Sequence, residues 1–345
     1  MMDSLVFGLV MVALGGLLEG LFSIPVTKTP RWTFEQVWGM GSLIALVVLP
    51  WPLVLTTVTN AGEIYRAVPS GVLITVFLCG IGWGLGGVFW GRAIGALGMA
   101  LGVSLLMGLI NVLGSIAPMA IFEPEKLGSR GGLTLMAAVA VLIGGVLCIA
   151  AAGRYREQEL AKGGKADAPR IPFLVGLGFC VLSGVLSALV NFGFIFGQPL
   201  AAAAAKAGVA SYATSFPVWA LVFTGNYLVN AVYALAIMVR RGTWRTLTAN
   251  SSLAYWAAVL FMGLAWPGGI IIYGIGAAAM GPFGAYAGFP MMILTSIVAG
   301  NLAGVIGGEW KGTQSRSRRF MAVGILIMFA AFGLLGFANR LLSAG

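Results

Sequence analysis

The chain has 345 residues, 59% of them hydrophobic and 9% charged, with a mean hydropathy of +0.99 and a formal charge of +10. Soluble domains run about 45–50% apolar and about 25% charged, which excludes a water-soluble fold and a disordered chain. Three cysteines build no disulfide scaffold and the 52 glycines follow no collagen period, so a polytopic helical membrane protein is what remains.

A spanning helix needs about 20 apolar residues. In chain order, spans are predicted near 4–26, 36–58, 70–92, 95–121 and 131–153, then 172–197, 212–239, 253–279, 283–307 and 319–341. Only Arg92 and small residues separate the third from the fourth, and Gly281-Pro282 marks the turn between the eighth and ninth. Asp3 opens the first apolar run where a signal peptide would carry basic residues, so no cleavable signal is expected.

Lysine and arginine in short loops set orientation. Of the 20 basic residues, 15 fall in odd-numbered loops, among them Lys28, Arg31, the 154–170 group, Arg240, Arg241, Arg245 and Lys311 to Arg319. Arg66, Lys126, Arg130, Lys206 and Arg340 lie on the other side. The odd loops are therefore expected in the cytoplasm and both termini outside. The basic residues sit in short loops between apolar runs and form no patch with interleaved aromatics, which suits anionic lipid headgroups and not nucleic acid.

The polar stretch 154–171 cuts the chain into a first five-span unit, 1–153, and a second, 172–345, joined by a cytoplasmic linker. An odd number of spans per half gives the halves opposite topology, the arithmetic of an inverted repeat. Sliding the chain by 183 residues puts Gly80 on Gly263, Trp83 on Trp266, Trp90 on Tyr273, Gly91 on Gly274 and Gly98 on Gly281. Pro25 and Pro199 close the first and sixth spans at another offset. The fold class expected is an all-α membrane protein of ten helices in a five-plus-five inverted repeat, with substrate near the midplane between the halves.

Of the ten acidic residues only Glu19 lies well inside a span. An intramembrane carboxyl usually faces a bundle interior or water, and its neighbours Gly15, Gly16, Phe22 and Ser23 make a small face suited to the interior. Glu19 is the candidate proton-coupling residue; the alternative is a permanently protonated group bonded to another helix. Histidine is absent, so proton chemistry runs through carboxylates, tyrosines or water.

Trp83 and Trp90 lie mid-span, away from the interfacial belt. They flank the stripe Gly80, Gly84, Gly87 and Gly91, whose bland reading is close helix packing. An aromatic plate beside small residues can also line a cavity for a sugar, stacking on its C–H face. Trp266 and Tyr273 repeat the arrangement, and Asn111, Asn191, Asn226, Asn230 and Tyr286 are the amide and hydroxyl candidates for the substrate. Asn226 and Asn230 share a helix face. No nucleotide cassette and no cluster of metal ligands is seen, so no cofactor, metal or enzymatic activity is expected.

The segment IPVTKTPRWTFEQVW, with Pro25, Lys28, Trp32, Glu35 and Trp38, resembles the first loop of the bacterial L-rhamnose–proton symporter family. LPW at 49–51, GIGWGLGG at 80–87, GALGMALG at 95–102, Pro199 and Glu309-Trp310 extend the likeness over the chain. The resemblance implies the drug/metabolite transporter superfamily and import of a small deoxy-sugar with protons across the inner membrane. The segment AAAMGPFGAYAGFPMM (277–292) is more apolar than the resemblance implies, which keeps open an exporter of metabolites or drugs on the same scaffold. A non-transporting membrane receptor or scaffold is the third alternative.

Overall fold

The structure, a computed structural model, describes residues 2–22, 29, 31–97, 99–160, 172–248, 252–307, 310–311 and 313–344. Among these, every regular element is helical, and ten segments are long and apolar enough to cross a membrane. Spans 1 to 5 are Ser4–Leu21, Phe34–Thr57, Ser70–Ala93, Leu105–Phe122 and Arg130–Arg156. Spans 6 to 10 are Leu174–Lys206, Ser211–Arg241, Leu253–Ala279, Gly284–Ile306 and Ser315–Ala344. Pro25, Lys28, Gly98, Lys162, Lys165, Asp167, Arg170 and Glu309 lie outside the described residues. The helix of span 5 continues to Leu160, into the first residues assigned to the linker.

Spans 2 and 4 are not regular helices. Each contains a wide π turn, at Ile44–Val48 and Val112–Ile116, just ahead of Pro50 and Pro118. Proline has no N–H to return to the carbonyl four residues back, and its ring crowds that oxygen. A widened turn absorbs the misfit, as the Leu49 N–H shows by bonding the carbonyl of Ile44, five residues back, at 2.9 Å.

Glycine decides which helices touch. Span 1 runs along spans 8 and 9, with Gly8 against Gly276, Gly15 against Gly269 and Gly16 against Met292 and Thr295. Span 6 runs along spans 3 and 4, and spans 5 and 10 pack on each other. Span 3 meets span 7 where Gly80 abuts Val222 and Gly225 abuts Phe77; span 8 meets span 2 where Gly263 abuts Ile44. Small residues permit this backbone approach, which supplies dispersion where lipid offers no hydrophobic gain. Two bundles result, spans 3, 4 and 6 against spans 1, 8 and 9, with spans 2 and 7 packed together beside them.

Candidate functional site

Between the bundles runs an aromatic seam. Trp83 of span 3 and Trp266 of span 8 meet edge to face with centroids 5.9 Å apart. Phe22 of span 1 stacks on Trp266 at 5.7 Å, Trp38 of span 2 lies at 5.3 Å from it, and Phe223 of span 7 lies 6.1 Å from Trp83. Five spans thus contribute one ring each, in geometries that favour aromatic pairs. The seam continues from Phe223 to Trp219, to Phe194 stacked at 4.9 Å, and to Tyr273.

Two polar groups border this seam. The Trp38 indole donates to Asn230 Oδ1 at 2.5 Å, while the Asn230 amide donates back to both the carbonyl and the side chain of Asn226. Asn226 and Asn230 are thus bonded to each other along their shared face. Glu19 lies one turn before Phe22; its backbone N lies 3.1 Å from where a Cβ on Gly269 would stand. Its Oε2 is buried with no hydrogen-bond partner among the described residues. Along span 3 the glycine stripe touches span 7 at Gly80 and Gly84, but a Cβ at Gly87 or Gly91 meets nothing within 4 Å. Both are exposed, so this stripe faces open space toward the odd-loop end.

Nearer the even-loop end the two bundles are tied by a buried polar knot. Asn191 of span 6 donates to the carbonyl of Gly114 in span 4 at 2.6 Å and of Ala285 in span 9 at 3.2 Å. Its Oδ1 accepts from the Tyr273 hydroxyl of span 8 at 2.5 Å. Ser115 Oγ donates to the carbonyl of Tyr286 at 2.5 Å. Two of these carbonyls lie four residues before a proline: Gly114 before Pro118 and Tyr286 before Pro290. Each proline denies its carbonyl the usual helical donor, and a side chain from another span supplies one instead.

Above the knot, a cavity of about 770 Å³ opens between the even-loop ends of spans 3, 4 and 6 and those of spans 8 and 9. Phe194, Ala285 and Tyr286 belong both to its lining and to the seam or knot beneath. At the odd-loop end, buried Glu35 accepts from Thr243 Oγ1 at 3.0 Å and pairs with Arg241 at 3.4 Å. Gln36 donates to the Thr243 carbonyl at 2.6 Å and accepts from the Thr33 N–H, so spans 2 and 7 are clasped there as well.

The structure brings Trp83 and Trp266 to the seam, Asn226 and Asn230 to its border at Trp38, and Asn191, Tyr273 and the Tyr286 backbone to the knot. It places two candidates apart. Trp90 packs against the cluster of Ala93, Leu106 and Cys180 between spans 3, 4 and 6 as well as against the main core, and Asn111 donates to Met107 of its own helix at 2.7 Å while its buried Oδ1 has no partner among the described residues. Sequence alone does not single out Phe22, Phe223 or Ser115, whose roles depend on helices remote in the chain. The pairing of Ser115 with a carbonyl near Pro290 had one legible half, a proline within an apolar run.

Ten helices long and apolar enough to cross a membrane, with a polar and aromatic seam between two bundles, define a polytopic membrane protein. The chain belongs to the L-rhamnose-proton symport protein (RhaT) family, whose sequence model matches residues 1–339. It is 24% identical over 341 residues to the L-rhamnose-proton symporter of Mannheimia succiniciproducens, covering 96% of this chain and 98% of that one. It is 22% identical over 347 residues to the symporters of the same name from Yersinia pestis and Yersinia pseudotuberculosis, covering 97% and 98%. A solved crystal structure aligns over 94% of this chain and 95% of its own at 17% identity and a TM-score of 0.49. The family resemblance carried by the first-loop and glycine motifs is borne out, and the family is one of transport proteins, not enzymes.

Proposed function

We propose that this chain imports a small sugar, L-rhamnose or a related deoxy-sugar, together with protons, by alternating access in a bacterial inner membrane. The observation that carries the reading is the aromatic seam, read here as the substrate chamber: Trp83, Trp266 and Trp38 beside Phe22, with Trp38 bonded to the Asn226–Asn230 pair and Phe22 one helical turn from Glu19, whose Oε2 has no partner among the described residues. Aromatic faces stack on sugar C–H groups and the amides match hydroxyls. Glu19 takes up and releases the coupling proton, while Asn191, Tyr273 and Tyr286 border the path. Trp90 and Asn111 are assigned to packing.

The scaffold is read as a five-plus-five inverted repeat of the drug/metabolite transporter type, with odd loops cytoplasmic. The packing supports this, because adding five to each span number carries one contact into another. Span 1 on 8 becomes span 6 on 3, span 1 on 9 becomes 6 on 4, and span 2 on 8 becomes 7 on 3. The 183-residue offset also carries Gly86, against Ser187 of span 6, onto Gly269, against Gly15 of span 1. Trp83 and Trp266, equivalent at that offset, touch each other as residues near a two-fold axis do.

The test is uptake of labelled L-rhamnose and a sugar panel into proteoliposomes, with and without an imposed pH gradient. Glu19→Gln should abolish gradient-driven uptake and retain sugar exchange. Uptake that ignores the gradient, or survives in the variant, removes the proton role; a panel in which no sugar moves removes the substrate class.

A further inference from the structure

The cavity at the even-loop face shares Phe194 with the far end of the aromatic seam, and Ala285 and Tyr286 with the polar knot, but none of the rings around Trp266 lines it. Its lining combines partly exposed rings of Phe122 and Phe196, meeting edge to face at 5.2 Å, with the Glu123 carboxylate, the Gln198 amide and Tyr286. Among the described residues no lysine or arginine lines it, and the neighbouring Lys126 lies over the Phe283 ring at 5.5 Å, so the charge on the lining is that of Glu123, which disfavours an anion. A carboxylate and an amide also make poor company for a lipid chain, since burying them without hydrogen-bonding partners is costly. Rings plus hydrogen-bonding groups in about 770 Å³ suit a neutral polyol, and the volume falls within the roughly 300–1,000 Å³ of small-molecule sites.

One bundle contributes Phe122, Glu123 and Gln198, the other Ala278 and Tyr286, so a ligand seated here touches both. Directly beneath, the carbonyls of Ala285 and Tyr286 are held across the cleft by Asn191 and Ser115. We propose that this cavity is a first docking site for a monosaccharide, and that the Asn191–Ser115 knot is the barrier between it and the aromatic chamber. The proposal rests on the reading that the chain carries a sugar. It adds a second site, reached first from the even-loop side.

The test uses the full chain in proteoliposomes with Ala278→Cys, an exposed position on the cavity wall. Reaction of the introduced thiol with a membrane-impermeant maleimide, read by peptide mass, should slow at least threefold in saturating L-rhamnose. That protection should persist when Trp266→Ala, or Trp83→Ala if the first variant folds poorly, has emptied the chamber of its plate and stopped uptake. Glu123→Gln combined with Gln198→Ala should remove protection and raise the uptake KM at least fivefold with Vmax within twofold.

Uptake without any protection of position 278 overturns the docking site while leaving sugar transport standing. Protection that vanishes with the chamber variants overturns it too, since one site then explains both. Protection by choline but not by sugar overturns the assigned chemistry. Protection without uptake supports the docking site and counts against the transport reading alone.

Discussion

The knot between spans 4 and 9 makes a sharp energetic prediction. Pro290 leaves the Tyr286 carbonyl without its helical donor, and Ser115 Oγ bonds that oxygen at 2.5 Å in a site where Ser115 is fully buried. Ser115→Ala should then strand a buried acceptor. A stranded group costs about 1–3 kcal/mol in a protein interior, and interhelical bonds in membranes average about 0.6 and reach about 1.7 kcal/mol. A loss of about 1–1.5 kcal/mol is the expectation. Pro290→Ala restores an N–H four residues after Tyr286, so the carbonyl regains a donor from its own helix. In that background Ser115→Ala should cost only a few tenths of a kcal/mol. The coupling energy, about 1 kcal/mol, is read from a double-mutant cycle of SDS-induced unfolding in mixed micelles, followed by tryptophan fluorescence. The cycle cancels whatever straightening span 9 does to stability by itself. Losses that add to within about 0.3–0.5 kcal/mol, as independent sites do, would refute the idea that the serine substitutes for the proline's missing donor.

Two further predictions concern the glycine stripe and the odd-loop clasp. Gly80→Ala drives a Cβ into the Val222 carbonyl and should cost about 1–3 kcal/mol as overpacking, whereas Gly87→Ala meets open space and should be neutral; equal losses in the same unfolding assay would mean that spans 3 and 7 do not part at this stripe. Glu35 is 1% exposed and Arg241 66%. Glu35→Ala should cost about 1.5–3 kcal/mol by removing a charged acceptor from Thr243, while Arg241→Ala should cost less than about 1 kcal/mol because its guanidinium is largely solvated. A larger loss from the arginine change would show that the ion pair, not the threonine bond, holds spans 2 and 7.

The spans were legible one at a time because each must be apolar along its own length, whatever its neighbours do. Their count and approximate limits match the ten helical segments. The coincidence of Trp83 with Trp266 at an offset of 183 residues was also visible, since it is an identity of residue and spacing. Position along a helix says less about company. Trp83 and Trp90 share one face by spacing, yet Trp83 meets Trp266 in the seam while Trp90 packs against Ala93, Leu106 and Cys180. The asparagines look alike in sequence but have different partners: Asn191 joins three helices, while Asn111 bonds its own.

By itself, then, the order of residues determined the solvent, the number of crossings, the rarity of buried charge and the recurrence of glycine and tryptophan between halves. All of these follow from local chemistry, since a bilayer imposes hydrophobicity and helical bonding on each segment separately. The tertiary structure decided which faces meet, and with that which carbonyls freed by proline find a donor, which rings close around Trp266, and where a cavity opens above the knot. Those outcomes depend on helices more than a hundred residues apart coming within bonding distance, as Ser115 and Tyr286 do.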